Sequence, residues 1–257
     1  MVNIHPTAIV SPKAKLGENV TVAPMAIIHD DVEIGDNTFI GPRSVIYDYA
    51  RIGSRVRIYH SASISHVCQD LKFKGEITYC YIGDNSILHE YVTVHRGTEA
   101  SGKTIVGKNA YLMAYTHIAH DCVLEDNITI ANCTQMGGHV LIQRNAVIGG
   151  LVKIHQFCRI GKFCMIQGSR KVIKDVPPFI LAGGRELSYE GLNSVGLRRN
   201  GFLAEDLTML KSIYHCLFHS GLNVTQAKEK IKFEYGNEGF TKEIIDFINT
   251  SQRGIIS

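Results

Sequence analysis

The strongest constraint on the fold of this 257-residue chain is an aliphatic residue at every sixth position. The series runs Ile4, Val10, Leu16, Val22, Ile28, Ile34, Ile40, Ile46, Ile52, Ile58 and Ile64 without a break. It resumes at Ile82, Leu88 and Val94, and again from Val106 through Leu112, Ile118, Leu124 and onward to Val172. Four residues after each sits a second, usually smaller set that includes Ala8, Ala14, Ala26, Thr38, Ser44, Cys122, Cys158 and Cys164. Neither a helix of period 3.6 nor a strand of period 2 would collect both sets on one face. A three-sided solenoid does, if each six-residue unit is a short strand plus a turn and three units close a coil of eighteen. Burying one aliphatic side chain is worth roughly 1.5 to 3 kcal/mol. No competing arrangement of the segment buries them all.

Glycine often follows the aliphatic residue, as at Gly17, Gly35, Gly53, Gly83, Gly107 and Gly161, and the expectation is a corner of unusual backbone angles. The three cysteines in the small inward set are read as buried filler, not as reactive thiols. Two stretches interrupt the period, residues 65–81 and 98–105, and both have lengths that leave the frame intact. They are expected to be loops that leave and re-enter at one corner, and loops on a rigid scaffold commonly carry function.

The six-fold pattern stops after "DVPPF" at 175–179. From Gly201 the chain reads as helices: Leu207, Leu210, Ile213, Leu217 and Phe218 are spaced for one amphipathic helix. A further one is expected in "TKEIIDFINTSQRG", with Thr241 as its N-cap. The expected organisation is a β-solenoid over 1–184 and a helical domain over 185–257 that covers the solenoid end, where open strand edges would invite aggregation.

Composition narrows the function classes. With 45% hydrophobic and 20% charged residues the chain suits a soluble globular protein. The N-terminus lacks a basic segment followed by a long apolar core, and no apolar run approaches the roughly 18 to 20 residues of a membrane span. A cytoplasmic protein without stable membrane insertion is expected. A net charge of +3 argues against a nucleic-acid partner. Seven cysteines without paired C-x-x-C spacing fit neither a disulfide scaffold nor a zinc ribbon.

Residues eighteen apart stack on neighbouring coils, about 4.8 Å along the axis. By that ruler "MGGHV" (136–140) lies over "IAHDC" (118–122), and "IHQF" (154–157) lies over both. His117, His120, Asp121, Gly138, His139 and His155 therefore form a polar ladder on the outer wall. Acyl transfer to an alcohol needs a base for the hydroxyl proton and a donor for the oxyanion. Histidine titrates in the right range to serve as that base, and a neighbouring carboxylate fixes its tautomer. A zinc site is the rival chemistry for such a cluster.

The six-residue period resembles that of the hexapeptide-repeat family, whose domain is a left-handed parallel β-helix. The hand comes from the resemblance, since the general rule for parallel crossovers is right-handed. Within that family some members hold zinc with three histidines across a subunit interface. A more specific set of motifs resembles the UDP-N-acetylglucosamine O-acyltransferases that begin lipid A synthesis: "HPTAIV" (5–10), "QDLKF" (69–73), "VTVHRGT" (92–98), "HIAHDC" (117–122), "GGHV" (137–140), "IHQFC" (154–158), "DVPPF" (175–179) and "GLNSVGLRRNGF" (191–202). These motifs span the chain.

The resemblance implies transfer of a 3-hydroxyacyl group from acyl carrier protein to the 3-hydroxyl of a UDP-sugar, by a homotrimer with sites between subunits and with no metal or dissociable organic cofactor. His120 would be the general base, Asp121 its orienter and the Gly138 N–H the oxyanion donor. Asp70 and Lys72 would contact the sugar nucleotide, and His95, His117, His139, His155 and Gln156 would line the groove. Asn193 and Arg199 would reach the nucleotide. Gly168 stands where members of the family limit acyl-chain depth, and a glycine there leaves room for a long chain. Val195 and Asn200 depart from the family pattern, which carries an acid and a second arginine in some members. The relatives weighed beside this reading are an acyltransferase acting on the 3-amino sugar and a coenzyme A-dependent enzyme; a noncatalytic scaffold is the third class.

Overall fold

The structure, a computed structural model, describes residues 1–257. The repeat folds as a three-sided prism of parallel strands, most of them two residues long. Its faces are sheets of 11, 9 and 8 strands, here called the first, second and third faces. Along each face, partners are eighteen residues apart, as in Thr129↔Val147, Gln135↔Lys153 and Leu141↔Arg159. The chain thus visits the three faces in turn and climbs one coil per eighteen residues.

The sixth-position aliphatics fill the interior. Ile40, Ile46, Ile58, Ile64, Leu88, Leu112, Ile118, Leu124 and Ile130 are all fully buried, and they belong to one apolar cluster of 56 residues. Cys122, Cys158 and Cys164 fill small inward positions, and burial pushes their thiols up to about 12, 11 and 12. Ile4, in the first coil, is 44% exposed.

The corner glycines act differently from the expectation. Positive φ is carried two residues further on, by side-chain-bearing residues such as Asn37 (58°), Asn109 (54°), Asp121 (59°) and His139 (61°). Gly35 and Gly107 instead sit where the next coil comes closest: a Cβ there would lie 2.7 Å from the Gly53 carbonyl carbon and 2.6 Å from that of Glu125. Close approach of backbones selects these glycines, not left-handed geometry.

Both interruptions are loops: residues 67–78 lie within the first, whose flanking strands extend into it, and 96–102 start two residues before the second, whose far end is taken up by the strand Lys103–Val106. Cys80 pairs with Ala50, thirty apart, and Tyr79 with Lys103, twenty-four apart. The inserts are therefore two whole hexapeptide units and one. Both erupt from the corner between the second and third faces, on consecutive coils.

The sheet does not end at residue 184. Ile180–Gly183 pairs antiparallel with Ser188–Leu192, so a hairpin leads into the helices. These are α1 (Ser194–Arg199), α2 (Ala204–His219), α3 (Val224–Tyr235) and α4 (Gly239–Asn249). Tyr214 of α2 is fully buried and donates to the Pro178 carbonyl at 2.6 Å, while Phe163, Phe179, Phe202 and Phe240 stack at the junction. The C-terminal segment returns to the prism through Asp175 N–H to the Gly254 carbonyl and Ile256 N–H to the Asp175 carbonyl. Thr241 is not an N-cap: it lies inside α4, fully buried, and Glu238 holds the cap position without a side-chain bond. Its neighbours Ile244, Ile245 and Ile248 form the apolar face, and the helix starts earlier to bring that face onto the core.

Candidate active site

On the coil above the two loops, the same corner carries His120 and Asp121, between the strands His117–Ile118 and Val123–Leu124. One coil up it carries Gly137, Gly138 and His139, and one further His155, Gln156 and Phe157. The hydrogen bonds His139 N–H to the His120 carbonyl and Phe157 N–H to the Gly138 carbonyl fix that stacking. The ladder expected from the eighteen-residue ruler is present.

Asp121 has a side chain with 0% exposure. Its Oδ1 accepts from the Thr98 N–H at 3.0 Å and from the Ser101 hydroxyl; its Oδ2 accepts from the Thr98 hydroxyl at 2.7 Å and pairs with His120 Nδ1 at 2.7 Å. Burial would push this carboxyl up, but the bonds from Ser101, His120 and Thr98 prevail and hold it at about 2. An ionised carboxylate only accepts, so Nδ1 of His120 carries the proton and Nε2 presents a lone pair. That is the tautomer a general base needs.

Gly138 is buried, and its N–H makes no hydrogen bond within the chain. A Cβ at this position would strike the His120 ring, at 2.6 Å from Nε2. A basic nitrogen and an unpaired backbone N–H thus lie on adjoining coils, with no side chain between the glycine and the ring. His139 stands edge-on to His120 with ring centroids 5.2 Å apart, and is itself stacked on Phe157 at 4.6 Å.

Below, His117 Nδ1 pairs with the Thr93 hydroxyl at 2.7 Å, and His95 packs edge-on to His117 at 4.9 Å. Burial lowers the pKa of both, His95 to about 4, helped by the neighbouring imidazoles. His95 Nδ1 is buried without a partner. These rings are neutral at neutral pH and can offer hydrogen bonds without placing cations beside His120.

His120, Asp121 and His139 also bring potential metal-ligand atoms within 4.8 Å of one another. Both Asp121 oxygens already accept two bonds each, which fills the lone-pair sites of a carboxylate. A cation here would have to displace the donors that hold the pair together.

The remaining expected residues lie in three groups. Asp70 and Lys72 are on loop 67–78 at the same corner, where Asp70 Oδ1 accepts the Lys72 N–H at 3.0 Å; His155 and Gln156 are exposed there too. Gly168 is on the corner between the first and second faces, over Gly150, whose carbonyl oxygen would lie 3.0 Å from a Cβ. Asn193 caps α1 at the third corner and Arg199 is its last residue. There the Asn193 side chain donates to the Phe163 carbonyl and accepts from Gly196 N–H as the helix N-cap, while Arg199 is exposed. Asn200 closes that helix, accepting from Asn145 at 2.8 Å and donating to the Gly196 carbonyl at 2.8 Å; Val195 is exposed. One chain therefore assembles ten of the thirteen residues at one edge and leaves Gly168, Asn193 and Arg199 on the other two. Thr98 and Ser101 were not among the expected site residues; the donor-rich "TEAS" of an insert one coil below the histidine was the available signal.

Comparison with known proteins bears on what this edge does. Residues 31–66 and 103–138 match the family model described as bacterial transferase hexapeptide (six repeats), and 175–256 match UDP N-acetylglucosamine O-acyltransferase, domain 2. An acyl-(acyl-carrier-protein)–UDP-N-acetylglucosamine O-acyltransferase of Thiobacillus denitrificans is 39% identical over the full length of both chains, and one of Burkholderia orbicola is 42% identical over the same span. The chain belongs to the UDP-N-acetylglucosamine O-acyltransferase family. Among solved members of this family, the Bacteroides fragilis enzyme superposes with a TM-score of 0.97 at 43% identity, covering 98% of this chain and 99% of that one. The Acinetobacter baumannii structure gives 0.94 at 38%, covering 99% of each. With family membership comes the left hand of the coil.

Proposed function

We propose that the protein transfers a 3-hydroxyacyl chain from acyl carrier protein to the 3-hydroxyl of UDP-N-acetylglucosamine, the first step of lipid A biosynthesis. The observation that carries the reading is the His120–Asp121 pair lying against Gly138, whose N–H has no partner in the chain. His120 Nε2 takes the proton of the sugar hydroxyl as its oxygen attacks the thioester carbonyl. The oxyanion of the tetrahedral intermediate is met by the Gly138 N–H. Collapse breaks the carbon–sulfur bond, and the imidazolium returns its proton to the departing thiolate, leaving acylated sugar and free carrier thiol.

In this reading His95, His117, His139, His155 and Gln156 line the groove for sugar, phosphate and acyl donor, and Asp70 and Lys72 close on the nucleotide from their loop. Gly168, Asn193 and Arg199 lie at other corners, so they complete a site only where a second copy presents them. This supports a homotrimer with sites between subunits. Lys171, Lys174 and Arg185 line a hollow beside Glu186 and the C-terminal Ser257, and offer cationic groups to an acidic carrier protein. No helix is long and apolar enough to cross a membrane; a cytoplasmic setting is part of the proposal.

The test is a transfer assay with UDP-N-acetylglucosamine, its 3-amino analogue, and hydroxyacyl carrier proteins or acyl-coenzyme A. Transfer to the 3-hydroxyl from the carrier protein, abolished in His120→Ala with the oligomer intact, is the expected result. Preference for the amine or for coenzyme A, or activity that survives in His120→Ala, overturns it.

A further inference from the structure

Asp121 has no lysine or arginine partner, although its side chain is fully buried. Three of the four bonds to its carboxylate come from a single loop, 96–102, on the coil below. The insert is itself fastened: Gly102 N–H donates to the Thr98 carbonyl at 2.8 Å, Ala100 N–H to the Thr98 hydroxyl at 3.3 Å, and Lys103 N–H to the Ser101 hydroxyl at 3.4 Å. From the other side, the Asp121 N–H donates to Thr104 Oγ1 at 2.9 Å. The aspartate is clamped by its backbone and by both carboxylate oxygens.

We infer that Ser101 and Thr98 are positioning residues of the acyltransferase site, whose hydroxyls fix the orientation of the Asp121 carboxylate and through it the tautomer and basicity of His120. The inference rests on the role proposed for His120. With all four lone-pair directions taken, the carboxylate can turn only by breaking bonds, so its fourth direction always meets His120 Nδ1. The donors also spread its charge. Removing the Ser101 hydroxyl leaves more negative charge for the Nδ1–H bond, which favours the imidazolium and raises the pH at which the base becomes free. The other titratable groups facing the pair are His139 above, His117 and His95 alongside and below, and the Cys68 and Cys122 thiols, both pushed up by burial.

The test compares wild type, Ser101→Ala, Ser101→Thr and Thr98→Val. Ser101→Ala is expected to lower kcat by on the order of tenfold to a hundredfold, with KM for the sugar nucleotide little changed. The acidic limb of its kcat/KM profile moves to higher pH, and Ser101→Thr, which keeps the hydroxyl, restores both. Nitrogen-15 NMR of His120 reads the pair without catalysis: the imidazolium should persist to higher pH in the alanine and valine variants than in wild type. An unmoved limb and an unmoved His120 imidazole signal in Ser101→Ala, while His120→Ala is inactive, overturn this inference and leave the proposed function standing. An active His120→Ala overturns the function itself.

Discussion

The α-carbon of Gly138 lies against the imidazole of His120, one coil below it, so closely that no β-carbon fits between them. Gly138→Ala should therefore push the ring away from its bond to Asp121 or lift the strand above. We expect kcat to fall about a hundredfold. Circular dichroism should show an intact β-helix; a fully active alanine variant would show that the ring and the N–H do not act on one atom.

Asp121→Asn replaces an acceptor-only group by an amide whose NH2 must face donors. Whichever way it turns, its nitrogen meets either the Thr98 N–H and Ser101 or the Thr98 hydroxyl and His120 Nδ1. Loss of the tautomer should reduce kcat by about a hundredfold or more. Steady-state kinetics, with thermal melting to confirm folding, checks this.

His95 supplies a pH dependence of stability. Its folded pKa, about 4, lies below the ordinary value of 6.5 because burial and neighbouring imidazoles disfavour its cation. Between those values the unfolded chain binds more protons, so stability falls as pH drops through that window. The loss from this group alone reaches about 3 kcal/mol by pH 4. Denaturant midpoints measured from pH 7 to 4 should slope less in His95→Gln.

Arg96 is buried with its Nε unpartnered, its guanidinium lying 4.9 Å from the Tyr49 ring and 5.3 Å from that of Phe73. Phe73 belongs to the loop that carries Asp70 and Lys72, so the arginine seats that loop. Arg96→Met should raise KM for the sugar nucleotide by about tenfold while kcat holds. Hydrogen exchange over 67–78 should quicken; protection equal to wild type would contradict the seating role.

The prism was legible because its cause is periodic. On the first face the inward aliphatic of successive coils, Leu88, then Leu112, then Ile130, recurs in a fixed frame that both inserts preserve. The histidine ladder followed from the same ruler. What escaped was whatever the frame does not carry. Thr98 and Ser101 reach Asp121 through a loop whose path no period dictates. Helix α3 presents only Ala227 and Ile231 to the core, too sparse a stripe to read. Thr241 has the residue type of a cap but sits on the apolar face of α4, where packing decides its place. Asn193 resembles a ligand-binding residue by motif, yet its amide also serves as a helix cap, a duty visible only in three dimensions.

The whole-unit length of both inserts has a consequence for how this architecture diversifies. Added segments that return to the corner they left disturb nothing above or below, because the inward set of the next coil is fixed by its own repeats. The edge thus behaves as a rack of interchangeable shelves: catalytic fittings can be exchanged one storey at a time while the column that bears them keeps its shape.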